Sequence, residues 1–333
     1  MLELLPISCE INLGMKTEDR FKKFKYKVAA FYNFIPILDK DILLIKKELS
    51  DIATNQDIKG TILLASEGVN GTICGTENAI VQIIETLEKL LNVSEINVKY
   101  SWSEKQAFRR FKARQKKEIV TIGLKQVNPA KSVGKYIKAC DWNDFLEDSD
   151  SVVIDTRNEY EIKIGNFAGS LNPRTSSFRE FPAWVQKHLK PLIEENPSLK
   201  IGMYCTGGIR CEKATSYLID EGFSEVHHLE GGILKYLEDV SPEKSLWEGE
   251  CFVFDQRVSL DHDLAPGSHR MCHACGLPIS PENLKKPTYI KGLQCEACVG
   301  KYTDSDRARF AERQRQIDEI LKRLPENSIW PSS

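Results

Sequence analysis

The sequence predicts a multidomain protein that joins α+β and α/β architecture, and three features predict it. An opening stretch alternates strand-like and helix-like runs, a middle stretch sets short apolar strands between amphipathic helices, and a final stretch carries paired cysteines. A chain of 333 residues also exceeds one typical core, so two or three domains are expected.

Residues 24–122 make the first unit. Residues 26–34 (YKVAAFYNF) read as a strand, and residues 39–52 put Ile42, Leu43, Ile45 and Leu49 on one helical face. Residues 61–65 read as a buried strand, 68–71 as a turn and 72–74 as the returning strand. A second amphipathic helix over 77–91 and a strand over 96–102 complete the order strand, helix, strand, strand, helix, strand. That order is ferredoxin-like (acylphosphatase-like).

The end of this unit changes character. Lys105, Arg109, Arg110, Lys112, Arg114, Lys116 and Lys117 surround Phe108 and Phe111. Cations meet phosphates and aromatic rings stack on unpaired bases, so the segment suits RNA. A solvated linker or an exposed helix face is the other reading of such a charge run. The net charge of −2 gives no global attraction to nucleic acid, so any RNA site has to be local. A linker with Asn128-Pro129 and Gly134 follows.

Residues 130–243 make the second unit. Strands at 151–155 (SVVID) and 200–204 (KIGMY) alternate with helical patterns at 178–190 and 211–221, which predicts a parallel sheet covered on both faces. Chemistry in such sheets sits beyond the carboxyl ends of strands, where Cys205 falls. The loop Cys205-Thr206-Gly207-Gly208-Ile209-Arg210 then leads into a helix. Glycines let backbone N–H groups turn inward around an anionic atom. With the helix's positive end and Arg210, they predict a thiolate at neutral pH. Four residues separate Cys205 from Arg210, one fewer than in cysteine phosphatases, and the smaller ring suits a sulfur or a planar group. Cys211 either resolves an oxidised Cys205 as a disulfide or is a small core-facing helix residue.

Residues 246–333 make the third region. Cys272-x-x-Cys275 and Cys295-x-x-Cys298 lie nineteen residues apart, near the spacing of a tetrahedral zinc site. Structural zinc and unmetallated thiols both remain open, with His273 a weak alternative ligand. A closing helix over 305–324 sets Phe310, Ile317, Ile320, Leu321 and Leu324 on one side.

Ten cysteines without a readable secretory signal in residues 1–14 imply reduced thiols and a cytoplasmic location. No apolar run reaches membrane-spanning length, and no flavin, haem or nucleotide motif is seen.

The second unit resembles the rhodanese family. Besides the cysteine loop, residues 153–161 (VIDTRNEYE) resemble that family's Asp-x-Arg segment, and Glu230-Gly231-Gly232-Ile233 its closing signature. Gly165-Asn166-Phe167 stands where rhodaneses commonly have Gly-His-Ile. Asp155 and Arg157 read as a structural ion pair rather than as proton-transfer groups.

A longer similarity covers nearly the whole chain. Residues 60–73 (GTILLASEGVNGTI), 108–112 (FRRFK), 204–213 (YCTGGIRCEK) and 252–257 (FVFDQR) resemble the rhodanese-domain tRNA uridine hydroxylases, in that family's order. The resemblance implies oxygen-dependent hydroxylation at C5 of the wobble uridine of tRNA, with molecular oxygen as co-substrate and Cys205 as the essential cysteine. A physical route is addition of the Cys205 thiolate to uracil C6, which raises electron density at C5, with loop donors and Arg210 holding the charge on the ring carbonyl. The alternative is a sulfurtransferase carrying a persulfide on Cys205. A third reading, a non-enzymatic RNA-binding scaffold, fits poorly with an intact cysteine and arginine.

Overall fold

The computed structural model describes residues 24–323. The reading of residues 1–14 and the place of Leu324 on the closing helix lie outside the described residues, as does the side chain of Leu321.

In the first domain, β1 (Tyr26–Phe34), α1 (Asp39–Asn55), β2 (Lys59–Ala65), β3 (Gly68–Gly75), α2 (Glu77–Leu91) and β4 (Val98–Ser103) follow in sequence. They form the antiparallel sheet β4-β1-β3-β2, with Ile42, Ile45, Leu49, Ile80, Ile83 and Leu87 of the helices packed on one face. The predicted turn at 68–71 is corrected: the chain reverses at Ser66-Glu67, and Gly68, Asn70 and Gly71 are already in β3. These glycines serve close packing, since a Cβ on Gly68 would lie 2.0 Å from the Asn33 carbonyl oxygen.

The basic segment is neither linker nor helix. Its centre is β5 (Phe111–Gln115), added parallel to β2 as a fifth strand at the sheet edge. A run of alternating cationic and other residues is a strand pattern, and the edge tolerates it because one row of side chains faces water.

In the second domain, β6 (Lys135–Ile137), α3 (Ala139–Glu147), β7 (Ser151–Asp155), α4 (Glu159–Ile162), β8 (Gly165–Phe167), β9 (Lys200–Tyr204), α5 (Ile209–Asp220), β10 (Val226–Leu229) and α6 (Gly232–Asp239) follow in order. The sheet β6-β10-β9-β7 is wholly parallel. One face packs on α5 and a broken helical segment over 178–195, the other on α3, α6 and Trp247. Burial on both faces explains why β7 and β9 read as continuous apolar runs.

The third region is mostly short hairpins ending in α7 (Asp304–Arg323). Its segment 252–257 anchors the domains to each other. Arg257 donates to Asp255 and, through Nη1, to Ser101 Oγ of β4 at 2.8 Å, and the Gln256 N–H donates to the Ala107 carbonyl at 2.9 Å. Two further clusters cross the first interface. Buried Lys213 bridges Glu67 and Glu118 at 2.8 and 2.7 Å, while Tyr32 and Tyr136 both donate to Glu212, at 2.8 and 2.9 Å. Among the described residues, no helix is long and apolar enough to cross a membrane.

Candidate active site

Strand β9 delivers Cys205 at its carboxyl end. Gly208 takes φ +97°, which turns its N–H inward to donate to Cys205 Sγ at 3.1 Å. Helix α5 begins at Ile209, so the amides of Arg210 and Cys211 lie in its first turn and face the same sulfur. Gly232, at φ +67°, lets α6 start against the loop, where the N–H groups of Ile233 and Leu234 hold the carbonyls of Cys205 and Thr206 at 2.9 and 3.0 Å. A Cβ at Gly232 would stand 2.4 Å from the Cys205 carbonyl oxygen. The closing signature is thus the strut of the cysteine loop.

Burial alone would push the Cys205 thiol up. The Cys211 thiol, the Arg210 charge and the loop amides outweigh it and bring Cys205 from 9.0 to about 6. Cys211 moves the opposite way, through its own burial and the neighbouring sulfur anion. Its sulfur lies 3.6 Å from Thr156 Oγ1, and with its own thiol pushed up Cys211 is the neutral donor to the Cys205 sulfur.

Arg210 has a partner to which no role was assigned from sequence. Its Nη1 and Nη2 donate to the two carboxylate oxygens of Glu161 at 3.0 and 2.8 Å, and Glu161 Oε2 also accepts the Asn158 N–H at 3.1 Å. Two of its five N–H donors are held by that carboxylate, and the charge of Arg210 acts on Cys205. Asp155 and Arg157 form a fully buried ion pair, with Arg157 Nη2 also donating to the Gly165 carbonyl at 2.6 Å. Neither lines the cavity described next.

Cys205 is only 1% exposed, yet it opens on a cavity of about 440 Å³, within the usual size of small-ligand sites, about 300–1,000 Å³. Thr206, Gly207, Ile209 and Arg210 line it from the loop side. The first domain supplies the facing wall, with Tyr32, Thr61, Asn70 and Lys99 from its sheet and Phe108 from the basic segment. Phe254, whose ring is exposed and lies 5.8 Å from the Arg210 guanidinium, closes one side. Thr206 Oγ1 is buried with no protein partner.

The basic residues fall into distinct places. Arg110, Lys112 and Arg114 share one face at the β5 edge by the two-residue period of a strand. Lys112 is held below the usual lysine range, first by Arg110, then by slight desolvation and by Arg114. Phe111 points to the other face and packs against the domain core, which leaves Phe108 as the aromatic at the cavity. Lys116 and Lys117 follow β5 and are exposed, while Lys105 is half-buried just after β4. Arg109 lines a separate hollow of about 360 Å³ with Arg270, Arg313 and His273.

The four C-terminal cysteines converge. Sγ atoms of Cys272, Cys275, Cys295 and Cys298 all lie within 4.8 Å of one another, with separations of 3.9 Å (Cys272 to Cys298), 3.7 Å (Cys275 to Cys295) and 3.8 Å (Cys295 to Cys298). A tetrahedron with zinc–sulfur bonds of about 2.3 Å has edges of about 3.8 Å. The donor set therefore fits zinc, and His273 stays outside it.

Lys99, Tyr32, Glu161, Glu212 and Phe254 were not assigned from sequence. Glu161 carries a signal, since it stands three residues after Asn158 in a capping-box pattern. Lys99 carries a subtler one: the inward row of β4 is Lys99, Ser101 and Ser103, a buried polar face that needs a partner domain.

A sulfur anion ringed by amides at the end of a parallel strand, roofed by a ferredoxin-like domain, defines a rhodanese-type cysteine enzyme. Residues 26–119 match the UPF0176 acylphosphatase like domain and residues 141–239 the rhodanese-like domain. A protein of Prochlorococcus marinus (strain NATL2A) named tRNA uridine(34) hydroxylase is 88% identical over 319 residues, covering 96% of this chain and all of its own length. Proteins of the same name from Prochlorococcus marinus (strain MIT 9303) (52% over 301 residues; 90% and 97% covered) and Synechococcus sp. (strain CC9605) (54% over 297; 88% and 91%) are also similar. The chain belongs to the tRNA uridine(34) hydroxylase family.

Proposed function

We infer that this protein hydroxylates uridine 34 of tRNA, and that the base enters the cavity between the two domains and meets Cys205 there. The observation that carries the reading is the cavity itself: a sulfur held at a pKa of about 6 opens on a space of about 440 Å³ with aromatic rings at its sides. Phe108 and Phe254 are placed to stack on a base turned out of the anticodon loop. Arg110, Lys112 and Arg114, with the Arg109, Arg270 and Arg313 hollow, supply phosphate contacts. The relatives' activity and the two-domain wall favour this over a persulfide carrier, which needs no RNA surface.

The sulfur adds to C6, the C5=C6 π pair moves toward O4, and C5 becomes electron-rich. Molecular oxygen is the co-substrate: one of its atoms becomes the new hydroxyl oxygen, and the other leaves as water with two electrons and two protons from an external two-electron donor such as a dithiol. The purified protein, given unmodified tRNA and a dithiol reductant under ¹⁸O₂, should yield 5-hydroxyuridine at position 34 carrying the heavy isotope. Unlabelled product, or none, rejects the reading. tRNA as substrate, and the lack of any disulfide among the described cysteines, support a cytoplasmic site of action.

The four-cysteine cluster is read as a structural zinc site, with Cys272, Cys275, Cys295 and Cys298 as ligands. Metal analysis should give about one zinc per chain, and the paired substitution Cys272→Ser with Cys298→Ser should release it and expose residues 270–300 to rapid hydrogen exchange. A metal-free protein with the same protection in that segment would remove the assignment.

A further inference from the structure

Lys99 is 4% exposed and lines the Cys205 cavity, carried there by β4 of the first domain. Its ammonium lies 4.5 Å from the centre of the Tyr32 ring. Among the described residues its one hydrogen bond, to the Asn97 carbonyl, is 3.5 Å long, and no carboxylate comes within ion-pair distance. An ammonium has three donors, so this buried cation holds its donors almost unused and faces the space the substrate enters. Arg210, the other cation at the cavity, is already ion-paired with Glu161, which takes two of its five N–H donors.

Addition of a thiolate to C6 of uracil creates negative charge at O4, and a group must receive it without water. Resting on the hydroxylase reading, we propose that Lys99 is the acid of this step, contacting O4 of the uracil and protonating it as the Cys205 sulfur bonds to C6. The S–C6 bond forms, the C5=C6 pair becomes C4=C5, the carbonyl pair goes to O4, and O4 takes the proton from Lys99. The products are a neutral amine and an enol that is nucleophilic at C5, the carbon that is hydroxylated. One domain provides the nucleophile and the other the acid, so neither reacts alone.

The electrostatic setting supports this. Burial lowers Lys99 from 10.5 to about 8, against opposing pulls from Glu212, Cys205 and Glu230 and a small push from Lys235. An acid poised near the working pH transfers its proton most effectively. Because the protonated form acts, activity should fall as pH rises through about 8. Tyr32, Glu212 and Glu230 are the groups facing it from β1, α5 and the start of α6, and Cys205 from the loop.

The test compares wild type, Lys99→Met and Lys99→Arg on unmodified tRNA, with 5-hydroxyuridine measured by mass spectrometry from about pH 6 to about pH 10. Lys99→Met is expected to lose about 100-fold in kcat while KM for tRNA changes less than about threefold. Lys99→Arg, which keeps a charge but cannot release a proton in this range, should stay at least about tenfold below wild type in kcat and lose the alkaline limb. Lys99→Met within about threefold of wild-type kcat, or Lys99→Arg with an unmoved alkaline limb, overturns the proposal. If wild type forms no 5-hydroxyuridine at all, the functional reading falls separately. The place of Lys99 is then judged by iodoacetamide alkylation of Cys205: Lys99→Met should move its half-reaction pH upward and Lys99→Arg should not, and no movement in Lys99→Met overturns it.

Discussion

Replacing Cys205 by serine is expected to lower uridine hydroxylation by about a thousand-fold or more, with the thermal transition little changed. The loop is built to lower the pKa of one sulfur: the Gly208 amide donates at 3.1 Å, and the first-turn amides of α5 face the same atom. A serine hydroxyl ionises far too weakly for these donors to bring it into the working range, so the nucleophile is lost while the loop keeps its shape. The acid limb of the wild-type profile follows from the same geometry. Cys205 is lowered from 9.0 to about 6, so the rate should rise as pH climbs through about 6, where the thiol loses its proton. Together with protonated Lys99, lost above about 8, this gives a bell with its top between the two. Single-turnover formation of 5-hydroxyuridine checks both, and more than about a tenth of wild-type rate in Cys205→Ser would exclude the sulfur from the reaction.

Periodicity carried the fold class because both sheets announce themselves locally. The strands β7 and β9 are apolar throughout because both their faces are covered, and α1 and α2 each bury one stripe. Edge elements were less legible. Strand β5 looked like a charge run because an edge strand needs only one packed row, and the place of the β2–β3 reversal was hidden by glycines required for close packing inside β3. The cysteine loop was readable because its parts adjoin in sequence. The facing wall was not: Lys99 and Tyr32 reach Cys205 only after two domains dock through Lys213, Glu67, Glu118 and Glu212. No spacing rule records a site assembled from residues a hundred positions apart.

The site also tolerates several buried charges. Glu161, Lys213, Asp155 and Arg257 are each buried, and each meets its partners at ordinary hydrogen-bond lengths. Paired and hydrogen-bonded, such groups cost little; left alone, each would be a large penalty.

The sharpest case is Glu161, and Glu161→Ala is expected to cost about 3–5 kcal/mol of stability, the usual loss when one member of a buried ion pair is removed. Its carboxylate is 0% exposed and the Arg210 side chain 10%, which leaves little solvent to screen the unpaired charge that remains. The same substitution deprives the Asn158 N–H of its acceptor at the start of α4. Urea unfolding followed by tryptophan fluorescence reports on the second domain, where Trp142 and Trp247 lie in the core. The decisive measurement is the double variant: Glu161→Ala with Arg210→Met removes both charges and should be more stable than Glu161→Ala alone by about 1 kcal/mol or more. Equal stability of the two would mean that Arg210 finds water or another partner when Glu161 is gone. The carboxylate would then be a cap for α4 rather than the anchor that holds a cation beside the Cys205 sulfur.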